Sequence, residues 1–512
     1  MNFILNKLQL SVASVVKLFQ KLSLTSSLAL LLSCFFVSFV VQAEAQPAKP
    51  NILFIIADDL NNALSGFGHP QCRTPQLDKL AKNSVKFESM HCQYPLCGPS
   101  RASIMSGQYP YTNGTLKNLP YSDLRKHNPD ITTLPELFKK NGYISHRISK
   151  IYHMGIPSEI INGTADSDDE QSWSSTVNIK APEQNSPGDN KFLSPGMKGS
   201  QTFHAVKSKG GDHAQADGMA ADKAIEFLRE NKDNPFFLAL GFVRPHVPLV
   251  APIKYFDLYK NMDMQLPDAP SDDLNDVPEI IRGYKTTNAY KPIEGGHARI
   301  LQAYYATVSY MDAQAGRIIA ELENLGIREN TIVVFTSDHG YLLGEHHKWQ
   351  KQHLFEGSTR VPFIVSVPWI NDTHGQSTLQ ITELIDLYPT LSELAQLTPP
   401  DDIQGNSLLQ LLQNPETTNW KKSTAFTISR SGGESLRTQK WRYTQWGYGD
   451  SGQELYDLSK DPDEFTNLAD NPEYKTILAN LKQQLTNRRL NAGYNEAAIG
   501  RFLKKRGRRN NK

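Results

Sequence analysis

The run Cys97-Gly98-Pro99-Ser100-Arg101 places a small nucleophile four positions before a guanidinium, with Pro99 fixing a backbone angle between them. On a helix, Arg101 would lie one turn beyond Cys97 on the same face. Two distant segments concentrate acidic side chains: Asp58 and Asp59 close NILFIIADD, and Asp338 and His339 close TIVVFTSDHG. Three carboxylates with one imidazole form a hard donor set that favours Ca2+ or Mg2+ over zinc. Lys150 and His153, at i and i+3 in SKIYHMG, can point toward one ligand from a helix or turn. His246 stands in VRPHVP between two prolines, which lower the entropic cost of fixing it. Histidine suits proton transfer near neutral pH. A nucleophile, a divalent-cation site and protonatable nitrogens together make the equipment of displacement chemistry.

Those side chains need a frame that brings them together. NILFIIADD reads as a buried strand with function at its carboxyl end. PQLDKLAKNSV and ITTLPELFKKNGY read as helices, the second closed by Asn141-Gly142. ADGMAADKAIEFLRENKD is an amphipathic helix before the strand PFFLALGF, and a long helix ending at Gly326 precedes TIVVFTSDHG. This alternation predicts an α/β fold with a large, mainly parallel sheet flanked by helices on both faces. Ligands of such sheets bind beyond the carboxyl ends of the strands, so the two acidic pairs can converge. Residues 158–211 are rich in Ser, Asp, Asn, Pro and Gly with little periodicity, and read as a surface excursion near the site. After residue 400 short strands and a final helix predict a smaller C-terminal α+β lobe. The expected division is a signal peptide over 1–43, a catalytic domain over 48–400 and a subdomain over 401–512 with a basic tail.

The pentapeptide, with Gly107 ten residues after Cys97, resembles the signature of the type I, formylglycine-dependent sulfatases of the alkaline-phosphatase-like superfamily. The likeness continues through PNILFIIADDL, TSDHGYLLGEH and ELYDLSKDPDEFTNLAD. KIYH, VRPHVP, the His after Asp338 and the WQK that follows TSDHG resemble the iduronate-2-sulfatase-like subgroup. The resemblance implies that a formylglycine-generating maturation enzyme oxidises Cys97 to formylglycine (3-oxoalanine). It implies Ca2+ held by Asp58, Asp59, Asp338, His339 and an oxygen on the modified Cys97. Arg101 would serve the formylglycine and metal environment, Lys150 would bind sulfate and His153 would assist the formylglycine hydroxyl. His246 would act as general acid or sulfate-binding histidine, and Lys351 would complete the sulfate clamp. Which of His246 and Lys351 gives the proton stays open. An aldehyde hydrate offers two hydroxyls on one carbon, one to attack sulfur and one to collapse the adduct, a release step that a thiolate lacks. His297, His346, His347 and His353 are candidate contacts to a uronate carboxylate or else local hydrogen-bonding groups. The implied substrate is a sulfated poly- or oligosaccharide, uronate-containing and ulvan- or glycosaminoglycan-like, with a carrageenan-type galactan as an alternative. Phosphoester or phosphonate hydrolysis, and a non-catalytic polysaccharide binder, are the competing classes.

Lys7, Lys17 and Lys21, the apolar run of residues 27–41 and Val41-Gln42-Ala43 read as a secretory leader, too short for a membrane span. The expectation is export to the periplasm or medium, with no transmembrane anchor after cleavage. The chain carries 54 basic and 53 acidic residues. Without the three leader lysines the balance is −2, so no global electrostatic steering is implied and no nucleic-acid partner is expected. The ending RFLKKRGRRNNK is strongly basic and reads as a solvated tail, or as a tether for an anionic polymer. Cys72, Cys92 and Cys97 remain after cleavage. With Cys97 reserved for chemistry, Cys72 and Cys92 are left able to pair.

Overall fold

The computed structural model describes residues 46–118, 124–125, 128–194, 202–284 and 292–496, so the leader and the basic tail lie outside the described residues. Eight strands form the main sheet: β1 (Asn51–Asp58), β2 (Val85–Phe87), β3 (Ile144–Ser149), β4 (Ser175–Val177), β5 (Phe236–Pro245), β6 (Thr331–Ser337), β7 (Phe363–Ser366) and β8 (Ser377–Thr378). Their spatial order is β8-β2-β7-β6-β1-β5-β3-β4. The pairs of β1 with β5 and β6, of β3 with β4 and β5, and of β2 with β8 are parallel. Only β7 runs against its neighbours. The expected mainly parallel α/β sheet is therefore present.

Helices cover both faces: α1 (Pro75–Lys82), α2 (Cys97–Ser106), α3 (Leu134–Lys140), α4 (Ala216–Asn231) and α5 (Gly296–Asn324). The central strand shows why. Every residue of β1 is buried, as a parallel strand covered on two sides requires. Leu53 and Ile55 face a core shared with α4 and α5, through residues such as Phe227, Tyr304 and Val308. Ile52, Phe54 and Ile56 face the other core, with Ile104 of α2 and Phe138 of α3. Alternation along a strand thus sorts one apolar run between two helical layers.

That sorting corrects one expectation. Cys72 and Cys92 are both free and buried. Cys72 belongs to the core on one face of the sheet and Cys92 to the core on the other, so the sheet stands between them. The expected surface excursion is also more structured than its composition implied. It contributes edge strand β4 and a ribbon over Gly188–Phe192 and His204–Ser208, and it buries Ile160, Ile179, Leu193 and Phe203 in the core. Irregular periodicity hid these residues because each is anchored singly rather than along one face.

The C-terminal region forms an antiparallel meander of β9 (Ala425–Ser429), β10 (Gly433–Arg437), β11 (Trp441–Gln445) and β12 (Gln453–Asp457). Helix α6 (Lys475–Asn491) lays Leu481 and Leu485 on Phe426, Leu436 and Tyr443 of this sheet. Among the described residues no helix is long and apolar enough to cross a membrane.

Candidate active site

The parallel pairing of β1 with β6 sets Ala57 opposite Ser337, so the residues after each strand emerge side by side. Asp58, Asp59, Asp338 and His339 meet there, all essentially buried. Asp59 has φ 63°, in the left-handed region, which turns its side chain out of the strand direction. Tyr304 of α5 fixes that turn: its hydroxyl donates to the Asp59 carbonyl at 2.7 Å and accepts from the Asn61 amide at 3.0 Å. The Asp59 amide in turn donates to Asp338 Oδ1 at 3.2 Å.

Cys97 is the first residue of α2 and is 1% exposed. Its Sγ lies 3.0 Å from Lys351 Nζ, 3.4 Å from His339 Nε2 and 3.8 Å from Asp59 Oδ1. Arg101 follows one turn later with its guanidinium fully buried. Its Nε donates to Asp338 Oδ2 at 2.8 Å, and its Nη1 donates to the carbonyls of Lys150 and Ile151 at 2.5 and 3.0 Å. The expected shared face of Cys97 and Arg101 is present, and Ser100 Oγ adds a donor to the Asp338 carbonyl. Helix α2 ends at Gly107, whose φ of 66° suits a left-handed cap.

Lys150 leaves the end of β3 and places Nζ 2.5 Å from Asp58 Oδ2. Gly241 of β5 permits this approach, since a Cβ there would lie 1.7 Å from the Lys150 carbonyl oxygen. Lys351 Nζ reaches Asp59 Oδ1 at 2.5 Å. His246 Nε2 stands 3.7 Å from Asp59 Oδ2, with Nδ1 against the Val247 carbonyl. His153 Nδ1 is buried without a hydrogen-bond partner. It therefore joins the site by proximity and field, not by a bond.

Burial alone would push the Asp58 carboxyl up, but Lys150, His246, Arg101 and Lys351 together hold it well below the usual carboxylate range. Asp59 is also held low against its burial, chiefly by Lys351 and His246. Burial among these acids pushes the Cys97 thiol up. Lys351 stays above the ordinary lysine range because Asp59 and the other site acids outweigh its burial. Burial moves His246 down to about 4 and His153 down to about 3, with Asp58 partly opposing in both cases.

The donor set fits a hard divalent cation. Asp58, Cys97, Asp338 and His339 converge, and Asp59, Cys97 and His246 form an overlapping group. Asp58 Oδ1 is buried without a hydrogen bond and has Arg101 Nη2 at 3.6 Å, so it keeps hydrogen-bonding capacity for a ligand. His339 Nδ1 lies 2.9 Å from the Gly340 carbonyl, an acceptor that orients the ring and turns Nε2 toward the cluster.

Several supports were not legible in the sequence. Arg244 bonds both oxygens of Glu183, at 2.6 Å for Oε1, and donates to the His246 carbonyl at 2.6 Å. Asp217 of α4 accepts from the amides of Val243 and Arg244 at 2.8 and 3.0 Å. The arginine beside PHVP was the available signal; Glu183 had none. Of the uncommitted histidines, His346 stacks on Phe355 and bonds Asp273, and His347 faces the Pro270 carbonyl. His297 stacks on Trp349, and His353 lines a recess with Tyr284 and Arg430.

The model of the Sulfatase family matches residues 50–397. The chain belongs to the sulfatase family. A second model, N-sulphoglucosamine sulphohydrolase, C-terminal, matches residues 344–491 of this sulfatase. It is 35% identical to a Sulfatase of Formosa agariphila over 87% of this chain and 88% of that protein. It is 32% identical to Iduronate 2-sulfatase of Homo sapiens over 72% of each chain. Its fold superposes on the phosphonate monoester hydrolase of Agrobacterium radiobacter with a TM-score of 0.73 at 21% identity, covering 87% of this chain and 96% of the other. The enzyme is a sulfuric ester hydrolase of alkaline-phosphatase-like fold.

Proposed function

We propose that this sulfatase is an exported enzyme that removes sulfate from a uronate-containing poly- or oligosaccharide, using formylglycine made from Cys97 and a Ca2+ ion. The observation that carries the reading is the setting of Cys97. It opens a buried helix within 4 Å of an ammonium, an imidazole and a carboxylate on three other segments. A buried thiol whose ionisation is disfavoured is poorly suited to act as a thiolate, which agrees with its being a precursor.

Formylglycine, as its hydrate, supplies the oxygen nucleophile. Ca2+, held by Asp58, Asp59, Asp338 and His339 with the modified residue 97, supplies positive charge toward the sulfate oxygens. The remaining work falls to this chain's own side chains. Asp58 faces Lys150 and, at 3.6 Å, Arg101; Asp59 faces Lys351; and Arg101 also pairs with Asp338. These cations hold the Asp58 and Asp59 carboxyls low against their burial, which favours both as ligands. Arg101 holds Asp338 and the chain at Lys150 in fixed relation, so it positions two parts of the site at once. Lys150 and Lys351 offer ammonium groups to the anionic ester, and His153 presents an unpartnered ring nitrogen nearby. Lys351 and His246 converge on Asp59 and are the groups able to hold or move the leaving oxygen's proton. We assign this chemistry to residues 48–400 and read residues 401–512 as a smaller subdomain.

The subgroup motifs and the relative named Iduronate 2-sulfatase support a sulfated uronate as the sugar. The test has two parts. Peptide mass spectrometry should find residue 97 as formylglycine in active enzyme, and Cys97→Ala should lose turnover. A panel of sulfated uronate oligosaccharides, sulfated galactans, 4-nitrophenyl sulfate and 4-nitrophenyl phosphate should rank the uronate sulfates first. An active enzyme with an unmodified thiol, or faster phosphate hydrolysis, would overturn the reading.

A further inference from the structure

One cation beside the site is used by nothing described so far. Arg430 stands in the turn between β9 and β10. Its guanidinium lies over the ring of Tyr284, 3.9 Å from the centroid, and its side chain has no hydrogen bond or ion pair with any described residue. It lines a recess with Ile281, Tyr284, Gln352, His353 and Trp446. Gln352 is the residue after Lys351, whose ammonium is 3.0 Å from Cys97 Sγ. The recess is thus lined by the chain neighbour of a residue that contacts Cys97.

The turn is held in place rather than loosely exposed. Ser431 and Gly432 have φ of 58° and 65°, and Ser429 Oγ donates to the Gln352 carbonyl at 3.2 Å. Gly433 admits close packing, since a Cβ there would lie 2.6 Å from the Trp446 ring and 3.0 Å from Leu354. Tyr284 is fixed from the other side. The buried Lys348 ammonium donates to the carbonyls of Ile281, Arg282 and Tyr284 at 2.7, 3.3 and 3.1 Å. Stacking occupies the face of a guanidinium and leaves its in-plane N–H donors for a planar oxyanion. An oriented cation whose donors meet no described residue fits a substrate that carries a second negative group.

We propose that Arg430 binds a second oxyanion of the sugar, a carboxylate or a further sulfate, while the ester to be cleaved lies at residue 97. The proposal rests on the sulfated-uronate reading and names the contact that selects for it. Arg430 is a specificity-determining residue supplied by the C-terminal sheet.

Calorimetry in a Cys97→Ala background measures the contact without turnover. The ligands are a 2-O-sulfated uronate disaccharide, its carboxyl-reduced analogue, and the same disaccharide with an added sulfate on the neighbouring sugar. Adding Arg430→Ala should weaken binding of the uronate ligand about 10- to 100-fold, the range of a lost charge-assisted contact. Arg430→Lys should fall between, keeping charge but not the planar fork. A loss confined to ligands with the carboxylate assigns the contact to the uronate; a loss confined to the disulfated ligand assigns it to the second sulfate. Equal affinities with and without Arg430, or equal weakening for all three ligands, would overturn the proposal. Hydrolysis of the same disaccharide by the unaltered enzyme separately tests the sulfatase reading.

Discussion

Glu183→Ala tests how the His246 loop is held. Glu183 and Arg244 are each about 1% exposed, and both oxygens of the carboxylate bond Arg244 Nη2. Removing the carboxylate strands a buried guanidinium, whose burial already opposes its charge. Breaking such a pair from one side costs about 3–5 kcal/mol. At roughly 2 °C per kcal/mol for a chain of this size, the melting temperature should fall by roughly 6–10 °C. Arg244 also donates to the His246 carbonyl, so its relaxation moves the histidine, and kcat/KM should fall about 100-fold. The double variant Glu183→Leu/Arg244→Met separates the two effects. Replacing both partners with apolar groups should recover most of the lost stability. It should not recover turnover, because the bond to the His246 carbonyl stays absent. Differential scanning calorimetry and steady-state kinetics on one sulfate ester suffice. A Glu183→Ala enzyme with the parent's melting temperature and kcat/KM would refute the reasoning.

Three further outcomes are expected. Gly241→Ala puts a Cβ against the Lys150 carbonyl, so the variant should lose turnover and melt well below the parent; parental activity would show that β3 and β5 separate freely. Glu454, bonded by Trp446 and Tyr456 in an apolar cluster, is pushed up to about 7 by burial. A raised carboxyl favours the folded state below its unfolded value near 4.5, an advantage lost as pH rises to about 7. Melting curves of Glu454→Gln from pH 4.5 to 7 should show a decline smaller than the parent's by up to about 3 kcal/mol, the remainder coming from Asp217 and Asp312, which burial also raises to about 7. Chelator treatment should lower both turnover and melting temperature, with recovery on adding Ca2+; Asp58→Asn should show reduced sensitivity to both treatments, followed by fluorescence melting.

Much of the frame was legible because its signals are local. NILFIIADD and TIVVFTSDHG are buried on both faces in the structure and needed only their own composition to be read as strands. The acids at their ends could converge once a mainly parallel sheet was expected, and the pairing of Ala57 with Ser337 brings them together. Cys97 and Arg101 share a helix face by spacing alone. Residues 158–211 failed the same treatment, since their buried side chains follow no single period.

Chain order alone therefore determined which chemical groups exist and which pairs share a strand end or a helical turn. Folding decided everything that depends on which surfaces meet. It put Cys72 and Cys92 on opposite sides of a sheet, joined Glu183 to Arg244, and set Arg430 in a recess with Tyr284 and Gln352. Local periodicity is imposed by backbone geometry and can be read from neighbours, whereas contacts across hundreds of residues are chosen by the packing free energy of the whole molecule.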